Sequence, residues 1–372
     1  MRNLTLRSVL LGLAAPVGAL VFAALLCAGI LAVTGHSPVD TVDAMSASAQ
    51  RPRTLVNSLN TAVSYYLSAV AVAIGFRMKL FNIGVDGQYR MAALLAAALA
   101  GAAFMEGVPP VLRVTMTVLA SMLVGAAWAG IAALLKVTRG VSEVISTIML
   151  NAIATYLVSY LNNPARLAEV NPGSNDVKTP DITAGGQVPG FEVTGSSSKV
   201  YGLVFLAVLV GFLYWFVLSR TRFGFELKAT GLSESAAVAS GVSVKKMVVI
   251  SMLLSGAVAG LVGIPELLGA SHSYSLNFPA GVGFIGIAVA LLGRNHPIGM
   301  AVAALLWGFL FNTANSLDTA GVPREIVDIM QGVIVLSVVV AYELVRRYRV
   351  RAEQHAVGHA LGRTKTAEEV SA

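Results

Sequence analysis

The chain has 372 residues, of which 56% are hydrophobic and 12% are charged, and its net charge is +7. A soluble domain carries about twice that charged fraction, so the composition excludes an ordinary soluble protein and predicts an all-α, polytopic membrane protein. In a soluble protein the basic excess would suggest a nucleic-acid partner, but membrane proteins concentrate Lys and Arg in their cytoplasmic loops. The single cysteine, Cys27, excludes an intrachain disulfide bond.

The first hydrophobic segment covers residues 9–33 and follows Arg2 and Arg7. It is too long for the apolar part of a cleaved signal peptide, which has about 7–15 residues, so we predict a retained membrane helix. Nine further hydrophobic segments follow, most of them close to the ~20 residues that cross the hydrocarbon core. They cover residues 55–75, 80–105, 111–135, 141–161, 200–218, 247–269, 281–292, 297–317 and 326–345.

The distribution of basic residues predicts the orientation of these segments. Ten crossings with a cytoplasmic N-terminus place eighteen of the 26 basic residues inside, seven outside and Arg90 within a helix. This asymmetry favours ten transmembrane helices with both termini in the cytoplasm. The loop 162–199, rich in Pro, Gly and Ser, then faces outside. The segment 281–292 is short, and the sequence leaves open whether it spans or re-enters the membrane.

The stretch 219–246 is a long charged interruption that this topology places in the cytoplasm. Its centre, 233–240, lies between Gly231 and Gly241 and contains small residues, which predicts a short helix ended by a glycine. We expect this helix to lie at the membrane surface, where small side chains allow another protein to come close. The side chains expected to face outward are Ala236, Ala237 and Ala239.

An internal repeat relates residues 121–130 to residues 251–260, with six of ten positions identical. The copies lie three helices apart, so they would run in opposite directions across the membrane. Inverted repeats of this kind are typical of alternating-access transporters. The favoured explanation of the small residues in 255–260 is nevertheless close helix packing in lipid.

Polar residues interrupt the third segment at its start. Gly84 and Gly87 flank Asp86, which predicts a break in helix geometry that is buried in protein or lines a cavity. Asp86 and Arg90 have the i, i+4 spacing of an intrahelical ion pair, and mutual neutralisation is favoured over direct solute contact.

A polar stripe on the fifth segment is predicted to face the bundle interior. It consists of Glu143, Ser146, Thr147 and Asn151. Amides and hydroxyls suit an uncharged polar solute, although interhelical hydrogen bonding without a solute explains them about equally well. The candidate residues for a solute path are Asn82, Asp86, Gln88, Glu143, Thr147, Asn151, Asn312 and Asn315.

Two features near the outer ends of later segments favour a solute pathway. Glu266 follows Pro265, which predicts a helix kink. The short segment 281–292 follows Asn277 and Pro279, and a half-length helix beside a Gly or Pro break is typical of transporter binding sites.

Several motifs are absent from the sequence. It contains no G-x-x-x-x-G-K-[ST] phosphate loop, so we expect no ATP-driven engine in this chain. His272 and His296 have no accompanying Cys or His array, so we expect no metal site. No hydrolase pattern and no nucleic-acid module is recognisable.

Five motifs together resemble one known family. They are F-N-I-G-V-D-G-Q at 81–88, E-V-I-S-T-I-M-L-N at 143–151, T-R-F-G-F-E-L-K-A-T-G at 221–231 with E-S-A-A-V-A-S-G-V at 234–242, L-S-G-A-V-A-G-L-V-G at 254–263, and G-F-I-G-I-A-V-A-L-L-G-R-N-H-P-I-G at 283–299. They resemble permease subunits of bacterial ABC importers for branched-chain amino acids, simple sugars and nucleosides. The motif at 143–151 is similar to the nucleoside, guanosine-type branch. That family more often has Glu at the position of Asp86.

The resemblance implies an importer subunit in the plasma membrane rather than an enzyme. It implies a second permease subunit or copy, cytoplasmic ATPases that bind the ATP, an extracytoplasmic substrate-binding lipoprotein, and a small-molecule solute, with no cofactor in this chain. It divides the chain into an extra helix and outer loop at 1–53, a permease core at 54–345, and a basic cytoplasmic tail at 346–372. The residues of the implied ATPase-docking segment are Gly231, Glu234, Ala236, Ala237 and Gly241.

Three alternatives remain open. A sugar or branched-chain amino acid permease of the same family is the nearest. The inverted repeat alone would also allow an ion-coupled secondary transporter, which would need an intramembrane acid that titrates. A non-transporting scaffold or enzyme would need no cavity along the bundle axis.

Overall fold

The computed structural model describes residues 6–170 and 176–341, apart from 320 and 324, together with residues 344 and 347. The described backbone is mainly α-helical, as the composition predicts. The predicted basic tail, 346–372, lies outside the described residues except at position 347. Within the described part the chain forms two compact units, Met1–Met45 with Ala314–Ala372, and Ser46–Thr313.

The first unit contains α1 (Leu6–Val33) and most of α2 (Pro38–Ala49), and residues 325–341 of this unit are also helical. Its core brings Cys27 and Leu31 against Leu317, Val327 and Met330. Cys27 is therefore a buried packing residue. The sequence predicted an outer loop after α1, whereas 38–49 are helical and bent by 114° from the preceding helix.

The second unit is the helical bundle that contains the candidate site. Its helices are α3 (Pro52–Phe76), α4 (Val85–Ala100), α5 (Pro110–Arg139), α6 (Glu143–Leu161), α7 (Val204–Arg220), α8 (Arg222–Leu232), α9 (Glu234–Ala239), α10 (Val244–Gly260), α11 (Ile264–Glu266), α12 (Val282–Leu292) and most of α13 (Pro297–Thr319). Local sequence explains several ends: Pro52 and Pro110 begin α3 and α5, and Gly140 ends α5 in the left-handed conformation at φ 69°.

Five helices in the described part of the chain are long and apolar enough to cross a membrane. They are Pro52–Phe76, Pro110–Arg139, Glu143–Leu161, Val244–Ser271 and Pro297–Ala314. The number rises to seven if each of two bent helix pairs, one of them α7 with α8, forms a single span. The chain is therefore a multi-pass membrane protein, while ten crossings and two cytoplasmic termini stay predictions.

The helix of the hydrophobic segment 247–269 is irregular around Pro265, where the sequence predicts a kink. After α10 the backbone passes through a 3-10 turn at Leu261–Gly263, the short α11, and a π-helical turn at Leu267–Ser271. The helix is therefore irregular at this point, while a kink stays a prediction. α12 is short, as expected, and its start at Gly281 has a φ of 80°.

The two copies of the predicted repeat pack directly against each other. α5 and α10 cross antiparallel, because Ser121 lies beside Gly260 while Gly125 lies beside Gly256. Ser121 Oγ donates to the Gly260 carbonyl at 2.6 Å, and a Cβ on Gly256 would lie 3.0 Å from the Gly125 carbonyl carbon. Close backbone packing is therefore confirmed as a role of these small residues.

The predicted outer loop is folded rather than irregular. It contains two antiparallel hairpins, β1 (Glu169–Val170) with β2 (Val177–Lys178), and β3 (Gly190–Phe191) with β4 (Val200–Tyr201). Glu169 pairs with Lys178 and Gly190 pairs with Tyr201. Backbone bonds of 2.8–2.9 Å attach the loop to the chain after α11 (Thr179 N to Tyr274 O, Ile182 N to His272 O, Val188 N to Leu268 O).

Candidate functional site

The connection between α3 and α4, residues 77–84, is the structural centre of the candidate site. Its backbone leaves the helix because Lys79 adopts a left-handed φ of 57°, and Leu80 N–H donates to the Gly75 carbonyl at 3.0 Å. The sequence predicted a continuous segment from residue 80, whereas α4 begins only at Val85. The predicted break in helix geometry is therefore present, and it exposes backbone groups that side chains must satisfy.

Asn82 satisfies part of this break through four hydrogen bonds. Its Nδ2 donates to Gln88 Oε1 at 3.0 Å and to Ser255 Oγ at 2.8 Å. Its Oδ1 accepts from Gln88 Nε2 at 2.9 Å and from Gly84 N–H at 3.1 Å. Ser255 Oγ in turn donates to the Ala71 carbonyl at 2.6 Å. Asn82 and Gln88, only 1% and 0% exposed, thus join α3, α4 and α10.

The polar stripe of α6 faces the bundle interior, as predicted. Asn151 Oδ1 accepts from Gly87 N–H, and Asn151 Nδ2 donates to the Ile83 carbonyl, both at 2.8 Å. Glu143 pairs with Lys136 at 2.6 Å and accepts from Phe81 N–H at 3.4 Å. These contacts hold the first turn of α4 and the connection before it.

Thr147 lies in the same stripe and is fully buried. Its Oγ1 donates to the Glu143 carbonyl at 2.7 Å, and its Cβ would lie 3.0 Å from a Cβ placed on Gly84. The stripe therefore fits closely against α4. The hydroxyl of Thr147 bonds within α6, and Ser146 Oγ is buried without a hydrogen-bond partner. Solute contact by these residues stays a prediction.

Asp86 and Arg90 each bond to another element rather than to each other. Asp86 Oδ1 accepts from Gly283 N–H at 3.2 Å, at the first turn of α12. Arg90 Nη1 donates to Thr155 Oγ1 at 3.2 Å, and Arg90 Nε is buried without a hydrogen-bond partner. The carboxylate of α4 therefore caps the half-length helix α12, whose N-terminus favours negative charge.

The amide pair on α13 lies apart from this cluster. Asn312 Nδ2 donates to Thr61 Oγ1 at 3.0 Å and to the Gly308 carbonyl at 2.8 Å, so its partners are α3 and its own helix. The side chain of Asn315 lies outside the described residues. Among the described residues, no group of three or more His, Cys, Asp or Glu could hold a metal ion.

The short helix predicted within the stretch 219–246 is present as α9. Ser233 Oγ caps it by accepting from Ala236 N–H at 3.3 Å, and Gly241 follows it with a φ of 80°. Glu234 and Ala236 are exposed. The expectation that Ala237 faces outward was wrong: it is 2% exposed, because its position on this short helix turns it inward.

The sequence missed the helix before α9. α8 begins at the cap Thr221, whose Oγ1 accepts from Gly224 N–H at 3.2 Å. Its penultimate residue, Gly231, is buried against the α3–α4 connection: a Cβ there would lie 3.0 Å from Met78 Cα and 3.2 Å from the Arg77 carbonyl carbon. Gly231 is therefore a contact between α8 and the connection, rather than part of an exposed surface.

A second connection on the same side was also missed. Arg77 Nη2 donates to the Asn295 carbonyl at 2.7 Å and Arg77 Nε to Tyr214 Oη at 3.4 Å, while Tyr214 Oη donates to the Asn295 carbonyl at 2.9 Å. This cluster ties the end of α3 to α7 and to the loop before α13. The left-handed φ of 54° at Asn295 belongs to that tertiary arrangement, and no local sequence signal reveals it.

At the opposite end of the bundle, the folded outer loop is anchored by polar contacts. Asn60 accepts from Tyr201 N–H at 2.9 Å and donates to the Lys199 carbonyl at 2.8 Å. Tyr201 Oη donates to Glu266 Oε2 at 3.3 Å, next to the π-helical turn. In the following loop, burial lowers the pKa of His272.

Comparison with known proteins agrees with this architecture. Residues 54–339 match the family described as the branched-chain amino acid transport system permease component. The guanosine ABC transporter permease protein NupP of Bacillus subtilis is 38% identical over 75% of this chain and 79% of its own length. The nucleoside ABC transporter permease protein NupB of Lactococcus lactis is 31% identical over 88% and 90%, respectively.

The glucose ABC transporter permease protein TsgB13 of Haloferax volcanii is 35% identical over 89% of this chain and 88% of its own length. The family match to 54–339 includes the α3–α4 connection and the stretch 219–246. The chain therefore belongs to the branched-chain amino acid transport system permease family, as an integral membrane permease component of an ABC transporter.

Proposed function

We propose that the chain forms the translocation path of an ATP-driven importer for nucleosides. The observation that carries this proposal is the similarity to a guanosine permease and a nucleoside permease over 75% and 88% of the chain. The motif at 143–151, which resembles the nucleoside branch of the family, supports it as well. The similarity to a glucose permease makes a sugar the second candidate solute.

The proposed importer needs partners that this chain does not supply. With no phosphate loop in its sequence, the permease would receive work from separate cytoplasmic ATPases, which bind the ATP. A second permease subunit would complete the path, and an extracytoplasmic lipoprotein would deliver the solute. The division into an added N-terminal part at 1–53, a core at 54–345 and a tail at 346–372 is supported by the family match to 54–339.

The contacts suggest how work could reach the bundle. The exposed face of α9, with Glu234, Ala236 and the end at Gly241, would meet the ATPase. Ala237, which is buried, would hold α9 against the rest of the protein. Because Gly231 contacts Met78, a movement of α8 would also move the α3–α4 connection. From there Asn82 and Gln88 join the connection to α10 through Ser255.

In this mechanism α4 is the element that reorients. Its first turn is held by amide hydrogen bonds from Asn82 and Asn151, which a polar solute could exchange at little desolvation cost. The residues proposed to line the path are Asn82, Asp86, Gln88, Glu143, Thr147, Asn151, Asn312 and Asn315. Their hydrogen bonds to neighbouring helices are compatible with this role, because alternating access requires bonds that break and re-form.

Uptake tests the solute assignment. A strain lacking this chain would be complemented with it, together with its ATPase and binding protein, and uptake of labelled guanosine and of labelled glucose would be compared. The proposal expects guanosine uptake that depends on ATP and is reduced by unlabelled nucleosides but not by glucose. Glucose uptake alone would favour the sugar alternative, and uptake that survives ATP depletion would favour an ion-coupled transporter.

Docking is tested separately by Ala236→Arg. An arginine on this exposed position should leave expression and folding intact and abolish co-purification of the ATPase. The control Ser197→Arg places the same charge on an exposed position of the outer loop and should leave co-purification unchanged. Equal ATPase recovery with both variants would contradict docking at α9.

A further inference from the structure

An apolar groove lies between α3, α7 and α13, away from the polar cluster at the start of α4. Its volume is about 530 Å³, and nearly all of its lining is hydrophobic. We call it the α7 groove, because α7 lines it along most of its length, from Val204 to Trp215. None of the candidate solute-path residues lines it.

Small side chains create the floor of the α7 groove. At Gly211 the chains of α7 and α3 approach so closely that a Cβ would lie 2.9 Å from the Tyr66 ring carbon Cζ. Ala207 is buried on the turn before it, whereas Phe212 and Ile298 stand as exposed walls, 55% and 70% accessible. The groove is therefore open at the surface of the bundle, between apolar walls.

The dimensions fit one extended hydrocarbon chain. The stretch Val204–Trp215 spans about 17 Å at 1.5 Å per residue, which is close to half of the ~30 Å hydrocarbon core, or one leaflet.

One end of the groove is basic. His296 lines it directly at the start of α13, and the Arg220 guanidinium lies 5.8 Å from the centre of the Trp215 ring. Both side chains are exposed. In the predicted topology this end lies at the cytoplasmic surface, where the leaflet is rich in anionic lipid.

We propose that the α7 groove binds an anionic phospholipid of the cytoplasmic leaflet. One acyl chain lies along α7 between Tyr66 and Trp215, and the phosphate lies near Arg220 and His296. A basic pocket between transmembrane helices on the cytoplasmic side is the arrangement that recognises such headgroups. The bound lipid would fill the space between α7 and α13 without entering the solute path.

Quenching of Trp215 by brominated lipids tests this proposal. The assembled transporter and its Trp215→Phe counterpart would be reconstituted in phosphatidylcholine vesicles with a minor fraction of lipid carrying bromine on the acyl chain. The difference in fluorescence quenching between the two samples gives the contribution of the Trp215 indole alone, without that of the other tryptophans. At equal mole fraction, brominated phosphatidylglycerol should occupy the groove about fivefold more than brominated phosphatidylcholine, the enrichment expected from one basic group.

Two further variants identify the groups responsible. The double variant Arg220→Gln with His296→Gln should remove the preference for phosphatidylglycerol while leaving quenching by phosphatidylcholine unchanged. Arg222→Gln is the matched control, because this exposed arginine lies two positions away and pairs with Glu226 at 2.8 Å. Ala301→Leu narrows the groove and should reduce quenching by both lipids.

The outcomes that overturn the proposal are distinct. Equal quenching by both headgroups would mean ordinary contact with bulk lipid. No quenching in the assembled transporter would mean that another subunit covers the groove. Neither result depends on which solute is transported, so failure here leaves the proposed import function untouched.

Discussion

Asn82 is the residue on which the α3–α4 connection depends most directly. It has four hydrogen bonds, and both heteroatoms of the Gln88 amide bond to it. A buried amide that loses its partner costs about 1–3 kcal/mol in stability. The connection is irregular backbone within a membrane protein, so it exists only while such groups are satisfied.

We predict that Asn82→Leu lowers the free energy of unfolding by about 3 kcal/mol, because Gln88 and Gly84 N–H lose their partners at once. The measurement is the thermal unfolding midpoint of the purified protein. Asn312→Leu is the control, since this partly buried amide makes two hydrogen bonds and should give a smaller shift. Equal shifts for the two variants would contradict a special role of Asn82.

Gly231 is the contact through which α8 meets the same connection. We predict that Gly231→Ala pushes α8 away from Met78 and Arg77, since its Cβ would lie within 3.0 Å of backbone atoms that cannot yield. Solute uptake should fall several-fold while ATP hydrolysis by the assembled transporter continues. The measurement is the ratio of uptake to hydrolysis.

Gly107→Ala serves as the control for this substitution, because nothing lies within 4 Å of a Cβ at Gly107. Its ratio should equal that of the unchanged protein. An unchanged ratio of uptake to hydrolysis for Gly231→Ala would show that ATP hydrolysis is coupled to the bundle through contacts other than that with Met78.

Among the elements, the crossing of α5 and α10 determines how closely the bundle can pack. We predict that Gly256→Ala destabilises the protein by about 1–3 kcal/mol, because the added methyl group has no space against the Gly125 backbone. Gly130→Ala should cost much less, since only the mobile end of Leu253 lies near it, at 3.1 Å. The measurement is the thermal unfolding midpoint of each variant. A smaller decrease for Gly256→Ala than for Gly130→Ala would contradict close packing of α10 on α5 at Gly256.

The sequence predicted elements whose signal is local. Long apolar runs indicated α3, α5, α6 and α13 to within a few residues, and the Gly231 to Gly241 pattern indicated α9. Elements stabilised by tertiary contacts were missed. The two hairpins of the outer loop contain only two-residue strands, and α8 is defined by the Thr221 cap and by Gly231 packing on Met78.

The sequence could predict which residues belong to the candidate site but not how they contact one another. The helical spacing of polar residues placed Glu143 and Asn151 on one inward face of α6. It could not show that Asp86 caps α12 through Gly283, because that contact joins positions 197 residues apart. The i, i+4 spacing of Asp86 and Arg90 is retained as an electrostatic attraction, but their hydrogen bonds to Gly283 and Thr155 could not be inferred from it.

For the whole molecule, the direction of the chain across the membrane decides whether the mechanism is possible. The α9 segment must face the cytoplasm, where ATP is, and the loop that contains β3 must face outside. The basic residues favour this orientation. In that loop, a hydrogen bond and ion pair with Lys199 hold the pKa of the Glu192 carboxyl below its ordinary value, which keeps it charged and solvated.

Cysteine labelling tests this orientation directly. Starting from Cys27→Ser, which removes the natural cysteine, we predict that Ser235→Cys reacts with a membrane-impermeant maleimide only after cells are opened. Ser197→Cys should react in intact cells. Both positions are exposed, so the difference between them reports the side of the membrane rather than burial. Labelling of Ser235→Cys from outside would exclude docking of a cytoplasmic ATPase on α9, because α9 and the ATPase would then lie on opposite sides of the membrane.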